Sequence, residues 1–353
     1  MLNTQDYNSM QLPIPASELA HIQHQSFGNL LNAKPIIERV QPYLILNDGN
    51  RMPLFGLGTW NAQGKELTDA VKMAIKAGYR HIDTAANYKN EHLVGEAIRE
   101  CIEEDLVRRE DLFVTTKVWN NSHSRNSVPK ALKRSLEALQ LDYVDLYLVH
   151  YPIGYQEGDV LSPLDSNGKV ITSDVDYVET WHGMEDCKRL GLTKSIGVSN
   201  FNAQQLSRVL CNCTIIPSMN QIECHPYLSQ EKLLKFCRSH GIELTAYSPL
   251  GSPGRLDPSM KEPLLIDDPI VKQLARKYQR PAAHILIRYQ IQRGIVVIPK
   301  AIQAAHIRSN LEAVSFELDQ DDMVDLNSMN RNYRFMKFER CLDHKYYPFN
   351  TDH

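Results

Sequence analysis

No apolar run in the 353 residues approaches the roughly 20 that cross a bilayer. No basic stretch followed by an apolar one opens the chain, so no secretory signal is read and a cytosolic location is expected. An excess of lysine and arginine is missing too: the formal charge is −3, which argues against binding a phosphate backbone, so nucleic acid is not expected as a partner. Cysteine is present without pattern. The seven, at 101, 187, 211, 213, 224, 237 and 341, form no CxxC or CxxH cluster and read as reduced thiols rather than a metal site. The phosphate-binding G-x-G-x-x-G is also lacking, because GLGTWN carries Asn61 where the third glycine belongs, and this argues against a doubly wound dinucleotide fold.

What is present is an ordinary globular composition, 42% apolar and 23% charged, with strong punctuation. Residues 1–40 hold Gln, Asn, Ser and Pro with few charges and read as an extension outside the fold. YLILNDGNRMPLFG then has two apolar runs around a DGN turn, the mark of a β-hairpin. From LFGLGTW onward, short β-branched or aromatic runs alternate with helical patterns: YRHIDTA, LFVTTKVW, VDLYLVH, KSIGVSN, SMNQIEC, IELTAYS and IVVIPK each precede one. Eight such units predict an α/β protein whose parallel strands close into a (β/α)8 TIM barrel over residues 41–330, with 331–353 as a C-terminal loop over one end.

In that architecture functional residues gather at the carboxyl ends of the strands. Asp83 with Tyr88, Lys117, His150, Ser199 with Asn200, Gln221, Tyr247 with Ser248, and Lys300 mark seven of those ends. Each alone could be a cap, a snorkelling cation or a satisfied core histidine. Their recurrence at one end of successive strands is harder to obtain that way. A metal set of His81, His150 and His225 is disfavoured, because His81 is read as out of phase with the neighbours of Asp83 and His225 precedes Pro226 in a turn.

The stretches MPLFGLGTW, GYRHIDTAANYKNE, FVTTKVWN, LDYVDLYLVHYP, KSIGVSNF, MNQIECHPY, AYSPLGSP, VVIPK and HKYYPF resemble the aldo-keto reductase family, in its aldose reductase and aldehyde reductase branch, from about Tyr43 to Phe349. The resemblance implies reduction of aldehydes and some ketones, on a small-molecule carbonyl substrate with NADPH as cofactor; a monomer is expected because such a barrel can be complete alone and no heptad demands a partner. In the family pattern Tyr88 is the general acid, and a phenol with an ordinary pKa of about 10 would be tuned downward by the cation of Lys117, itself paired with Asp83. His150 would orient the carbonyl oxygen. Ser199, Asn200 and Gln221 would hold the carboxamide, the ring of Tyr247 would stack on the nicotinamide, and Ser248, Leu250 and Ser252 would approach the pyrophosphate. Thr59, Trp60 and Asp83 complete the implied cofactor set, with Lys300 and Asn310 at the adenosine end. For substrate the pattern implies Trp60, Asn87, Trp119, His150, Tyr151 and Tyr333.

Departures from the pattern are informative. Ala301 and His306 stand where relatives commonly carry a hydroxyl and an arginine for the 2′-phosphate, Ser309 replaces a glutamate, and Gly254 stands where an aspartate often closes the loop. These predict weaker discrimination against NADH and faster cofactor release. A cofactor-binding regulatory or structural protein on the same fold is the alternative, since fold does not fix function. The set Asp83, Tyr88, Lys117 and His150 argues against it, because such a protein has no chemical need of all four.

Overall fold

The computed structural model describes residues 41–255 and 262–350. The expected extension, residues 1–40, lies outside the described residues, as do the last three residues of the expected C-terminal loop. A short antiparallel hairpin comes first, β1 (Tyr43–Ile45) against β2 (Arg51–Pro53), with Leu44 opposite Met52. Its turn needs Gly49 at φ 84°, in the left-handed region that favours glycine.

Eight parallel strands follow in the order of the sequence: β3 (Leu57–Gly58), β4 (His81–Asp83), β5 (Phe113–Val118), β6 (Val144–Val149), β7 (Thr193–Ser199), β8 (Met219–Glu223), β9 (Glu243–Tyr247) and β10 (Val296–Val297). The last strand returns to the first. Parallel bridges Phe55 to Val297 and Gly58 to Lys300, with Gly56 N–H donating to Val297 O at 2.9 Å, close the ring. Residues of β5 and β6 are buried throughout, as expected for strands covered on both faces.

Helices α1 (Gly64–Ala77), α2 (Glu91–Glu103), α3 (Ser127–Leu139), α4 (Tyr177–Arg189), α5 (Ala203–Leu210), α6 (Glu231–Ser239), α7 (Pro269–Tyr278), α8 (Ala282–Gln292) and α9 (Ala304–Leu311) fill the predicted stretches. Their ends follow local chemistry. Asp176 accepts from Val178 N–H at the start of α4, Asn202 and Gln205 cap α5 reciprocally, and Gly78 at φ 108° ends α1. A tenth helix, α10 (Gln320–Ser328), was not foreseen. Its acidic sequence QDDMVDLNS offers only Met323 and Leu326 as buried apolar residues, too few to show a helical period.

Alternation along the strands decides what faces the interior. Leu146 and Leu148 of β6 and Phe113 of β5 join Leu46 and Met52 of the hairpin segment in one cluster, so the hairpin plugs one end of the barrel. Tyr147, Val149 and Val114 point the other way, into the layer beneath the helices. By the same period His81 shares a face with Asp83, two residues along. It is thus out of phase with Ile82, the neighbour of Asp83, and is buried in the interior, where Nε2 lies 3.1 Å from Thr115 Oγ1. Gly56 is required beside it, because a Cβ there would sit 2.5 Å from the His81 ring.

Candidate active site

At the carboxyl end of β4, Asp83 is fully buried and meets Lys117 of the neighbouring β5, which is buried as well. Lys117 Nζ donates to Asp83 Oδ1 at 2.6 Å and to Thr84 O at 2.8 Å, and lies 3.4 Å from Tyr88 Oη. Burial pushes the Asp83 carboxyl up and the Lys117 ammonium down, while their mutual attraction opposes both shifts. Tyr88 ends a 3-10 turn, Ala86–Tyr88, that carries the chain from β4 toward α2.

Asn90, next after that turn and Lys89, fixes it. Its Nδ2 donates to Thr59 O at 2.9 Å and Ala62 O at 3.0 Å, and its Oδ1 accepts from Thr84 Oγ1 at 3.0 Å. Glu91 then anchors the first turn of α2, accepting from Thr116 Oγ1 at 2.6 Å and Ser135 Oγ at 3.1 Å. Sequence reasoning missed both residues; an Asn before a helical stretch was the available signal, and it reads as a cap.

One expectation is corrected in sign. The Tyr88 phenol is held well above its ordinary pKa, first by burial, then by the charges of Asp83 and Tyr151. The Lys117 ammonium, 3.4 Å away, does not outweigh that burial. Burial also pushes the imidazole of His150 well below its ordinary pKa, with the Lys117 and His123 charges adding to the effect. His150 is thus neutral, and its buried Nδ1 has no partner among the described residues. Its ring lies edge-on to Tyr88, with centroids 5.7 Å apart, and to Trp119 at 5.0 Å.

Adjoining strand ends carry a connected polar set. Ser199 Oγ donates to Gln221 O at 2.8 Å; Asn200 Nδ2 donates to His150 O at 3.0 Å and Ser199 Oγ at 3.1 Å; Tyr247 Oη donates to Asn200 Oδ1 at 2.7 Å. Gln221 Nε2 reaches across to Asp83 Oδ2 at 2.7 Å, so this set and the Asp83–Lys117 pair share one carboxylate. Thr59 Oγ1 donates to Asp83 O at 3.0 Å. Hydroxyl, two amides and a phenol ring fit the donors, acceptors and plane of a nicotinamide carboxamide. After β9, Ser248, Gly251 and Ser252 all have positive φ, of 50°, 75° and 48°, and Leu250 packs between the two large apolar clusters. Such a run of left-handed backbone makes the kind of concavity that receives anions. Lys300 is exposed at the end of β10; Ala301 and Asn310 are buried, and His306 is exposed.

Of the expected substrate residues, Trp119 and Tyr151 come together, with ring centroids 6.2 Å apart, and Tyr151 stacks on His150 at 5.4 Å. Trp60 stands at the end of β3 with 39% of its surface exposed, and Asn87 is half-buried in the turn before Tyr88. Tyr333 is placed elsewhere: it lies edge-on to Phe335 and packs with the cluster that contains Tyr227. Phe338, which sequence reasoning did not single out, takes a place against this box instead. Its ring is stacked on Tyr151 at 4.0 Å and 10°, and meets Trp119 edge-on at 6.4 Å. Among the described residues, no group of three or more His, Cys, Asp or Glu side chains could hold a metal ion.

The aldo/keto reductase family model matches residues 54–331. The chain is 42% identical over 318 residues to aldo-keto reductase family 1 member A1 of Gallus gallus, covering 87% of this chain and 97% of that protein. It is 46% identical over 315 residues to aldo-keto reductase family 1 member C1 of Macaca fuscata fuscata and 43% identical over 314 residues to prostaglandin F synthase 1 of Bos taurus, with the same shares covered in each case.

Proposed function

Because the chain belongs to the aldo/keto reductase family, and is an oxidoreductase on that ground, we propose that it reduces aldehydes and some ketones to alcohols with NADPH, Tyr88 giving the proton. The observation that carries this reading is the contact of Tyr88 Oη with Lys117 Nζ at 3.4 Å, beside the buried Asp83 and the neutral His150.

A bound nicotinamide cofactor supplies the hydride. The chain's own residues handle the proton. Tyr88 is a neutral phenol before reaction, since burial and the Asp83 charge hold its pKa up, and so it is loaded to donate toward an oxygen that gains charge. As the proton leaves, negative charge develops on Tyr88 Oη. The Lys117 ammonium then supplies a charge-assisted contact, typically about 1.5–3 kcal/mol. The Asp83 carboxylate opposes the loss of that charge to burial. His150, neutral, offers a ring nitrogen to the carbonyl oxygen without adding a competing positive charge.

Ser199, Asn200 and Gln221 would hold the carboxamide, with Tyr247 under the ring, Thr59, Trp60 and Asp83 around it, Ser248, Leu250 and Ser252 along the pyrophosphate, and Lys300 and Asn310 at the adenosine end. Lys300 supports NADPH; Ala301 and His306 support only a modest preference over NADH. Trp60, Asn87, Trp119, His150 and Tyr151 are the proposed substrate residues, with Phe338 in the place expected of Tyr333. We also read residues 1–40 as an extension, 41–330 as the barrel and 331–353 as its cover, in a monomer acting in the cytosol. That no described helix is long and apolar enough to cross a membrane is consistent with this.

Oxidation of NADPH in the presence of a small aromatic aldehyde, repeated with NADH, tests the proposal. Turnover with a measurable preference for NADPH is expected. Tight NADPH binding with no turnover across aldehydes and ketones would replace it with the cofactor-binding, non-catalytic alternative.

A further inference from the structure

Glu223, the last residue of β8, is a fully buried carboxylate that the proposed chemistry does not use. It lies two residues beyond Gln221, and its acceptors are directed at the C-terminal segment. Oε1 accepts from Phe335 N–H at 2.7 Å and lies 2.9 Å from His225 Nε2; Oε2 accepts from Met336 N–H at 2.9 Å, with the Arg334 guanidinium 3.8 Å away. These partners hold the carboxyl below its ordinary pKa in spite of burial, so the clamp is ionised. On the far side, Tyr347 Oη donates to Lys337 O at 2.5 Å. Three consecutive residues, 335 to 337, are thus pinned by the backbone.

The next residue is Phe338, whose φ of 55° is a conformation that L residues with side chains adopt only when the surroundings hold them there. That turn delivers the Phe338 ring onto Tyr151, next to His150, in van der Waals contact that leaves no room for another ring between them. Apolar packing alone would let such a ring slide. A bidentate carboxylate fixes backbone position as well as distance.

We propose that Glu223 is a positioning residue that sets substrate size selectivity, by holding Phe335 and Met336 so that Phe338 closes on Tyr151 and narrows the approach to His150. The inference rests on the carbonyl reductase reading for its substrate arm, but not for its structural arm. In Glu223→Gln the amide keeps one acceptor oxygen and loses the second, together with the charge that engages Arg334. Hydrogen exchange of the full-length protein should then show the Phe335 and Met336 amides exchanging at least about tenfold faster, as expected when a local anchor is lost. The ratio of kcat/KM for a bulky polycyclic aldehyde to that for a small aliphatic one should rise at least about fivefold, through KM rather than kcat, as expected when a steric exclusion is relaxed.

Phe338→Ala separates the two arms: it should reproduce the selectivity change while the Phe335 and Met336 amides stay protected. Should Glu223→Gln not fold, Met336→Pro removes one donor from the loop side and is expected to shift selectivity in the same direction. Unchanged exchange in Glu223→Gln, or faster exchange with unchanged selectivity, overturns the proposal. Absence of carbonyl turnover in the unmodified protein would instead overturn the functional reading, with the exchange arm still reporting on the clamp.

Discussion

Lys117 donates to Asp83 across 2.6 Å with both side chains buried, and the same ammonium faces Tyr88 Oη. The pair therefore serves stability and chemistry at once, and the two can be separated. Lys117→Met leaves the Asp83 carboxylate buried without its cation and should cost about 3–5 kcal/mol in urea unfolding. Adding Asp83→Asn removes the stranded charge and should return at least half of that loss. Carbonyl turnover should stay at least about a hundredfold below the unmodified protein in both variants, the usual size of a lost acid–base contribution. Recovery of turnover in the double variant would contradict the assigned role of Lys117.

Gly95 of α2 is fixed by close approach rather than by backbone angle. A Cβ built there would lie 2.2 Å from Leu139 O, at the end of α3. Gly95→Ala must push the two helices apart, and since α2 follows directly on the Tyr88 turn, the strain reaches the site. A loss of about 1–3 kcal/mol is expected from overpacking of this kind, measured as a lower urea midpoint. An unchanged midpoint would mean that α3 yields at no cost.

Strand ends were legible in the sequence because polar residues recur near the end of short strand-like runs, a local pattern: Asp83 ends β4, Lys117 and Gln221 lie within the last three residues of β5 and β8, and His150 follows β6 directly. The hairpin was legible from DGN for the same reason. What escaped was non-local or weakly patterned. Phe338 reaches Tyr151 from a segment with no regular element to give it a period, and α10 buries too few apolar residues to announce itself. The sign of the Tyr88 shift escaped as well: a neighbouring lysine suggests phenolate, but burial of the phenol, the larger effect, is a property of the folded structure.

Buried histidines make stability sensitive to acid. His81 and His123 are pushed down to about 3 by burial, and His150 well below its ordinary value, so at these three sites the folded protein binds fewer protons than the unfolded chain below about pH 6.5. Stability accordingly falls as pH falls from that point. His123→Gln should recover about 2 kcal/mol of the loss seen between about pH 7 and about pH 5, read as the difference in urea midpoints at the two pH values. No change in the pH dependence would mean that the folded protein admits a proton at His123.

Cofactor preference should respond to the exposed positions after β10. His306→Arg supplies a permanent guanidinium six residues after Lys300 and should tighten NADPH binding about tenfold, the worth of one charge-assisted contact to a phosphate, with NADH affected little. Quenching of tryptophan fluorescence by each cofactor measures both affinities. Equal tightening of NADPH and NADH would place the 2′-phosphate elsewhere.

The central claim is that Tyr88 donates the proton, and the most direct measurement compares the unmodified protein with Tyr88→Phe in single-turnover reduction of a small aromatic aldehyde by NADPH. Loss of the hydroxyl should slow the step by about a thousandfold, within the usual range for a positioned acid, while NADPH binding persists. A variant that keeps more than about a tenth of the rate would contradict the account and require another proton donor at this rim.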